Sequence, residues 1–317
     1  ETAARACTRS LPIVPVRALG FTFEGADGRR CPDGLSGAGT LALGHNRPLV
    51  PEAIREALDS DAPLRAPDLA TPVRDAFVDG LLRTLPPALA GHARVRSCGP
   101  WEADAVDAAV ALVRGAAGRA RIVTCGGGAP APGQGPAVLA TDVPPAGMLL
   151  TAVPDEGLLP VSGDRMRRAR TLTAARSVAL IADGTTTGVG RTGAYRAVDH
   201  AGIAPEVMVL AGAIGGGLPL SVVVHHEDLG PGDPGARAGA CRGNQLAMAA
   251  GRATLAHVRE NQHPGTLGIG VLGRLREPAG AHPCAGDVRG RGLMIGTGFV
   301  DADEDPLDHG VDHPRRP

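Results

Sequence analysis

Two patterns of apolar residues alternate along the chain. Some segments are short continuous apolar runs, and others repeat their apolar residues at helical spacing. Continuous apolar runs of this length, bounded by turn residues, are typical of buried strands. The runs occupy residues 121–125, 147–153, 177–182 and 207–210. Other segments repeat their apolar residues at helical spacing, most clearly at Ala103, Val106, Val110 and Val113. Strands that alternate with helices in this way predict an α/β fold with a mostly parallel sheet.

Further elements follow from local signals. The segment Phe21 to Arg30 predicts a hairpin, because Asp27-Gly28 is a typical two-residue turn. Apolar spacing also predicts a strand over 221–224 and helices over 51–58, 71–85, 166–175 and 246–260. The Gly-, Pro- and Ala-rich stretch from 126 to 146 breaks regular structure and predicts a loop.

Composition places few further limits on the chain. Its 317 residues are 43% hydrophobic and 21% charged, as in ordinary globular proteins, and the net charge is -1. No long basic block is present, which argues against a nucleic-acid partner. No apolar run is long enough to cross a membrane and no signal peptide precedes the first strand, so we expect a cytoplasmic protein.

One absence in the composition bears on chemistry. The chain contains no lysine, because all 32 residues counted as Lys or Arg are Arg. An arginine side chain is not deprotonated in proteins and cannot replace lysine as a nucleophile. Any chemistry that needs a side-chain primary amine is therefore outside the reach of this chain.

Several separated motifs occur in a fixed order. One strand ends in Asp183 and is followed by Gly190-Arg191-Thr192-Gly193, and the next strand runs into a turn that ends Gly217-Leu218-Pro219. The segments 37–46 and 242–244 add Gly-Ala-Gly-Thr-Leu, Gly-His-Asn and Arg-Gly-Asn. Together they resemble the class III aminotransferases, fold-type I enzymes that use pyridoxal phosphate (PLP), and most closely the diaminobutyrate and ω-amino acid branch.

The resemblance implies a fold and a division into domains. We expect a large domain with a mostly parallel sheet between helices, and a reduced small domain built from both termini. The implied boundaries are 1–50 for the N-terminal segment, 51–240 for the large domain with a shortened loop at 126–146, and 241–317 for a truncated C-terminal part.

The resemblance also implies where the family's PLP contacts would lie. Asp183 corresponds to the acid that pairs with the pyridinium nitrogen, and Gly212 stands where the family has the Schiff-base lysine. Trp101 and Glu102 occupy the phosphate-binding loop, where we expect the indole ring to fill the phosphate space and the carboxylate to satisfy the helix dipole. Ala129 and Ala240 replace a ring-stacking aromatic and a threonine that reaches the partner's phosphate.

Three acids are the candidate catalytic residues, and each has an alternative interpretation. Asp183 is either a residual pyridinium partner, a re-employed acid, or a strand-end residue that caps the following turn. Glu156 is either an acid–base group or a turn carboxylate. Glu102 is either a general base in a remodelled pocket or a charge at a helix N-terminus. We expect no metal site, since neighbours such as His225 and His226 point to opposite sides of a strand.

These departures lead to competing hypotheses of function. The first is a homologue that has lost Lys-dependent catalysis and carries out cofactor-independent chemistry on a small polar metabolite, so no cofactor is expected. The second is a non-catalytic pseudo-subunit that supports an active aminotransferase. The third is a residual transaminase in which PLP is held without a covalent bond. In each case we expect a homodimer, or a heteromer with an active homologue.

Overall fold

The structure, a computed structural model, describes residues 13–67, 69–126, 143–155, 157–230, 242–261, 264–282 and 284–300. The strands are β1 Pro15–Leu19, β2 Thr22–Gly25, β3 Arg30–Pro32, β4 Ala93–Ser97, β5 Ile122–Cys125, β6 Gly147–Thr151, β7 Ala179–Gly184, β8 Val207–Ala211, β9 Ser221–His226, β10 Ala285–Arg291 and β11 Met294–Phe299. The α-helices are α1 Leu49–Asp59, α2 Pro72–Leu82, α3 Pro87–Ala90, α4 Glu102–Ala117, α5 Gly163–Ala175, α6 Gln245–Glu260 and α7 Pro264–Ala279.

A six-stranded sheet forms the centre of the fold. Its strand order is β4-β9-β8-β7-β6-β5. Strands β5 to β8 are parallel to one another, whereas β9 runs antiparallel to both of its neighbours. The register places Thr151 opposite Asp183, and Asp183 opposite Val209. The carboxyl ends of three adjacent parallel strands therefore lie side by side.

Helices cover both faces of this sheet. On one face Met148, Leu180 and Met208 pack in a buried cluster with Phe77 of α2 and Met248 of α6. On the other face the small side chains of α4 pack against the opposite sides of the same strands, in a cluster that includes Ala105, Ala109, Leu112, Ile181, Val209 and Val223. The alternation of side chains along each strand thus fills two separate apolar layers.

The predicted elements are largely confirmed. The predicted helices are present with shifts of a few residues, and the predicted hairpin forms between β2 and β3. The α/β fold with a mostly parallel sheet is confirmed as well. One connection differs from regular strand–helix alternation: β7 and β8 are joined through a short 3-10 segment, Ala197–Ala201, and not through an α-helix.

Helix α6 fixes the turn that follows β8. A Cβ atom added to Gly251 would lie 2.1 Å from the carbonyl oxygen of Ile214, so only glycine permits this close approach. The helix also packs against α1 and α2.

The domain boundaries implied by the resemblance remain a prediction. Within the described ranges, no helix is both long and apolar enough to cross a membrane.

Candidate active site

The candidate site lies at the carboxyl ends of β6, β7 and β8. In open α/β sheets ligands bind in the crevice outside the carboxyl ends of the strands. Strand β7 delivers Asp183, β8 runs directly into Gly212, and the N-terminus of α4 delivers Glu102. Thr40, on the loop before α1, approaches the same place from the N-terminal segment.

Asp183 is held by three hydrogen bonds. The backbone N–H and the hydroxyl of Thr185 donate to Oδ1 over 3.1 Å and 2.7 Å. The hydroxyl of Thr151 donates to Oδ2 over 3.2 Å. These bonds are those expected of an acid that caps a turn, and they also fix the carboxylate at the edge of the sheet. The two interpretations of Asp183 are therefore compatible.

Gly212 lies close to atoms from three other segments of the chain. Its φ of +59° lies in the left-handed region, where glycine has no steric cost. A Cβ atom built there would lie 3.5 Å from Oε1 of Glu102, 3.6 Å from the carbonyl oxygen of Thr185 and 3.6 Å from Cγ2 of Thr40. All three are ordinary contacts, so a side chain at this position has room to leave the backbone.

Glu102 faces this space with a perturbed carboxyl group. Within the described residues it makes no hydrogen bond and no ion pair, and it remains open to solvent. Desolvation by partial burial is the largest cause of the raised pKa of Glu102. The negative charges of Asp155 and Asp183 raise the pKa further, whereas the positive charge of Arg191 lowers it. The proton is thus held more tightly than on an ordinary glutamate.

Arg191 supplies the positive charge of the site. Its guanidinium is half-buried and donates a hydrogen bond to the carbonyl oxygen of Gly39, which ties the N-terminal loop to the segment after β7. Burial is the main cause that lowers its pKa, opposed by the charges of Asp155 and Glu102. The site therefore combines three carboxylates with one guanidinium.

The expectation for Trp101 is wrong, whereas Glu102 lies in the first turn of α4 as expected. The Trp101 side chain is 70% exposed, so its ring points into solvent and does not fill the cleft. The N-terminus of α4 is capped by Asp104, whose Oδ2 accepts the Trp101 N–H over 3.2 Å. Glu102, the first residue of α4, carries its charge at the helix N-terminus, and its Oε1 atom lies 3.5 Å from a Cβ atom built at Gly212.

Other candidate residues cannot be placed. Glu156, Ala129 and Ala240 lie outside the described residues. Within the described residues, no group of three His, Cys, Asp or Glu side chains is arranged to hold a metal ion.

Sequence reasoning did not identify Thr151, Thr185 and Asp155 as parts of the site. Thr185 carried a usable signal, since a hydroxyl two residues after an acid favours a local hydrogen bond. Thr151 ends strand β6, and only the strand register brings it beside Asp183, whereas Asp155 lies on the loop after β6 and enters the site through its charge, which acts on Glu102 and Arg191.

A solved structure shares the fold of this chain. The ornithine aminotransferase from Toxoplasma gondii, crystallised in the presence of oxidised glutathione, superimposes with a TM-score of 0.79 at 20% identity, over 94% of this chain and 80% of that one. The fold is therefore that of the fold-type I PLP-dependent transferases.

Sequence comparison then gives the family. The sequence model of the protein family described as "Aminotransferase class-III" matches residues 141–312 of this chain. The diaminobutyrate–2-oxoglutarate aminotransferase of Rhizobium meliloti is 37% identical over 368 aligned positions, which cover 98% of this chain and 78% of that protein. The Haemophilus influenzae protein of the same name is 32% identical, over 95% of this chain and 78% of that protein. The chain belongs to the class III aminotransferases.

Membership of this family corrects one expectation. The expectation that the chain uses no cofactor is wrong, because class III aminotransferases are PLP-dependent, and the Toxoplasma gondii structure is described with partial occupancy of PLP at its active site. The hypothesis of cofactor-independent chemistry depended on that expectation and is withdrawn with it.

The cleft fits different parts of PLP unequally. Asp183, fixed by Thr151 and Thr185, fits the acid that a pyridinium nitrogen requires. A Cβ atom at Gly212 would make only ordinary contacts, but the chain contains no lysine that could attach the cofactor there. The first turn of α4 carries the carboxylates of Glu102 and Asp104, which would repel a phosphate at that helix end.

Proposed function

We propose that this chain is a class III aminotransferase homologue that holds PLP, or its amine form pyridoxamine phosphate, without a covalent bond. The observation that carries the proposal is the placement of Asp183, whose carboxylate is fixed at the sheet edge by three hydrogen bonds. Thr151 of the neighbouring strand adds a third hydrogen bond to those made within the turn, so the carboxylate keeps one orientation at the sheet edge. Its orientation supports a role toward a bound ring.

Amino transfer of the diaminobutyrate type is the activity we propose. The relatives named diaminobutyrate–2-oxoglutarate aminotransferase support 2,4-diaminobutyrate as amino donor and 2-oxoglutarate as acceptor. When bound, PLP supplies an electron sink for bonds at the carbon that carries the amine. Asp183 would hold the positive charge on the ring nitrogen, and Thr151 and Thr185 would keep its carboxylate in place.

The first experiment measures binding of pyridoxamine phosphate, which cannot form a Schiff base with the N-terminal amine. Calorimetric titration of the wild-type chain should detect a complex, and Asp183→Asn should weaken it at least tenfold, since the ring nitrogen loses its charged partner. Asp107→Asn is the matched control, because Asp107 is an exposed acid further along α4. Equal affinities for wild type and Asp183→Asn would refute the proposal.

The second experiment asks whether the space beside Gly212 belongs to the cofactor site. Gly212→Lys should gain a PLP adduct at position 212 after borohydride reduction, located by peptide mass spectrometry, whereas the wild type should carry none at that peptide. Gly212→Ala has the same left-handed backbone strain without the amine and serves as control. If Gly212→Lys folds and remains unmodified at saturating PLP, the placement of the cofactor is wrong.

Amino transfer itself is measured as glutamate formed from 2-oxoglutarate and 2,4-diaminobutyrate. The wild-type chain with added PLP should give a rate above the reaction of PLP alone, and Asp183→Asn should return that rate to the background. A wild-type rate equal to background, with binding intact, would favour the pseudo-subunit hypothesis over catalysis.

We propose further that two copies of the chain associate. The N-terminal sheet exposes a group of apolar side chains that an isolated chain would leave in water, including Val16, Leu19 and Phe21, the last at 71% exposure. Sedimentation equilibrium should give a dimer, and Phe21→Ser should shift it toward monomer. A monomer at micromolar concentration would contradict this proposal. Association with a lysine-bearing homologue, tested by co-purification, would indicate a heteromer instead.

A further inference from the structure

A cavity of about 500 Å³ lies between the loop after β3, the turn after β7 and the carboxyl end of α6. Its volume is in the range of small-molecule binding sites. Leu293, in the turn between β10 and β11, forms one side, and its N–H donates to the carbonyl oxygen of Arg191 over 2.8 Å. Neither Asp183 nor Gly212 lines this cavity, so it is a different space from the candidate active site.

Most of the cavity lining is apolar. Two of the lining side chains, Leu35 and Leu293, are exposed to water. A ligand with an apolar body would cover such surface, and this burial is a main driving force of binding. The larger apolar side chains of the lining are Leu35, Leu41, Leu43, Val189, Val258 and Leu293.

The ionisable groups of the lining are basic. They are Arg191 and His257, and no aspartate or glutamate of the described residues lines the cavity. The guanidinium of Arg191 is half-buried and donates to the carbonyl oxygen of Gly39, but it makes no ion pair within the described residues. A guanidinium has further N–H donors, and a carboxylate is the group that matches their geometry best.

The wall that the loop after β3 contributes is fixed by its own hydrogen bonds. Oδ1 of Asp33 accepts the N–H groups of Leu35 and Ser36, each over 3.0 Å. Oδ2 of the same buried carboxylate lies 2.7 Å from Nε2 of His45. The backbones of His45 and Gly20 exchange two hydrogen bonds of 2.7 Å and 2.8 Å. A wall that is already ordered lowers the entropic cost of binding a ligand.

We propose that this cavity binds a small monocarboxylate with an apolar body. The carboxylate accepts hydrogen bonds from Arg191, and the body lies against the leucine and valine side chains of the lining. A cationic ligand would be repelled by Arg191, and a neutral one would leave the half-buried guanidinium without a charged partner. The inference does not rest on the proposed function, because it involves no cofactor and no reaction step.

The first test compares three ligands of one shape by calorimetric titration of the full chain without PLP. They are 3-phenylpropanoate, its neutral amide 3-phenylpropanamide and the cationic 3-phenylpropylamine. The carboxylate should bind about tenfold more tightly than the amide, as expected for a charge-assisted hydrogen bond, and the amine should bind most weakly. Equal affinities for the carboxylate and the amide, or no complex with the carboxylate, would overturn the proposal.

The second test removes the cation. Arg191→Gln should weaken binding of 3-phenylpropanoate about tenfold and leave the affinity for the amide nearly unchanged. Arg196→Gln is the matched control, because Arg196 pairs with Asp199 and does not line the cavity. A loss of affinity that is equal for both ligands would mean that Arg191 acts only by holding the loop, and it would refute the role of its charge.

A third variant changes charge with little change of shape. Asn261 lines the cavity, and its amide donates to the carbonyl oxygen of His257 over 2.9 Å. Asn261→Asp should weaken binding of 3-phenylpropanoate about fivefold at low salt, because the new negative charge repels the carboxylate. Asn46→Asp is the control, since Asn46 lies outside the cavity and donates to the carbonyl oxygen of Ala18 over 2.9 Å. Equal losses in the two variants would contradict the proposed place of the ligand.

Nuclear Overhauser effects locate the ligand directly. The ring protons of 3-phenylpropanoate should show contacts to the methyl groups of Leu41 and Val258, which lie on two different walls of the cavity. Contacts to Val16 and Leu19 of the N-terminal sheet in their place would show that the ligand covers exposed apolar surface elsewhere, and the proposal would then be wrong.

Discussion

Asp183 and Glu102 are two carboxylates in one cleft, and they are held in opposite ways. Asp183 accepts three hydrogen bonds from Thr151 and Thr185. Glu102 accepts none within the described residues, and its neighbours raise its pKa. A fully bonded carboxylate contributes to the stability of the fold and keeps one orientation, whereas an unbonded one is available for a ligand or a proton. The cleft therefore contains one acid that is fixed by hydrogen bonds, and one acid that makes none among the described residues.

The largest expected difference between the two acids is in stability. Asp183→Ala leaves the donors on Thr151 and Thr185 without their acceptor in a half-buried place and should lower the free energy of unfolding by about 2 kcal/mol. Glu102→Ala breaks no hydrogen bond among the described residues and should change it by less than about 0.5 kcal/mol. Urea unfolding at pH 7 measures both. Similar losses for the two variants would show that the contrast between these acids is not energetic.

A smaller change isolates the support of Asp183 from its charge. Thr185→Val keeps the backbone donor and removes the 2.7 Å hydroxyl bond, which should cost about 1 kcal/mol of stability. Pyridoxamine phosphate affinity should fall by a smaller factor than in Asp183→Asn, because the carboxylate remains but is less well oriented. Thr186→Val, on the next residue, is the matched control. An unchanged affinity would mean that the orientation of Asp183 is set elsewhere.

Acid titration tests the state of Glu102. The pKa of Glu102 is raised in the folded chain. The free energy of unfolding of the wild type is therefore highest below the ordinary glutamate pKa, and it falls as the pH rises through the folded-state pKa. Glu102→Gln removes this loss and should be more stable than the wild type above that pH, with the difference disappearing below the ordinary glutamate pKa. Thermal unfolding across pH 4 to 8 measures it. A wild type that gains stability over Glu102→Gln as the pH rises would mean that the pKa is lowered.

The smallest expected effect concerns the cation of the site. Arg191 lowers the pKa of Glu102, so Arg191→Gln should raise that pKa further, seen as a shifted carboxyl resonance in the ¹³C spectrum. The variant also loses the bond to Gly39 and loosens the N-terminal loop. Arg196→Gln is the control, because Arg196 pairs with Asp199 at the 3-10 segment. A downward shift would show that Arg191 does not act on Glu102 by its charge.

Much of the fold could be predicted from local pattern. Apolar runs located the strands of the central sheet, and Asp27-Gly28 located a hairpin turn, because both depend on residues close together in the chain. The connection between β7 and β8 could not be assigned by pattern, and its 3-10 segment packs against α5, which lies elsewhere in the chain. The outward direction of the Trp101 ring also escaped prediction, because its exposure depends on the turn that enters α4 and on the cap made by Asp104.

The amino-acid sequence alone determined the family motifs, the acid at the end of β7 and the absence of any lysine, because these are properties of residue identity and order. Only the tertiary structure decided that Thr151 supports Asp183 and that Glu102 lies beside Gly212. The reason is physical: hydrogen bonds and charges act through space over a few ångströms, and the residues of these two pairs lie 32 and 110 positions apart in the chain.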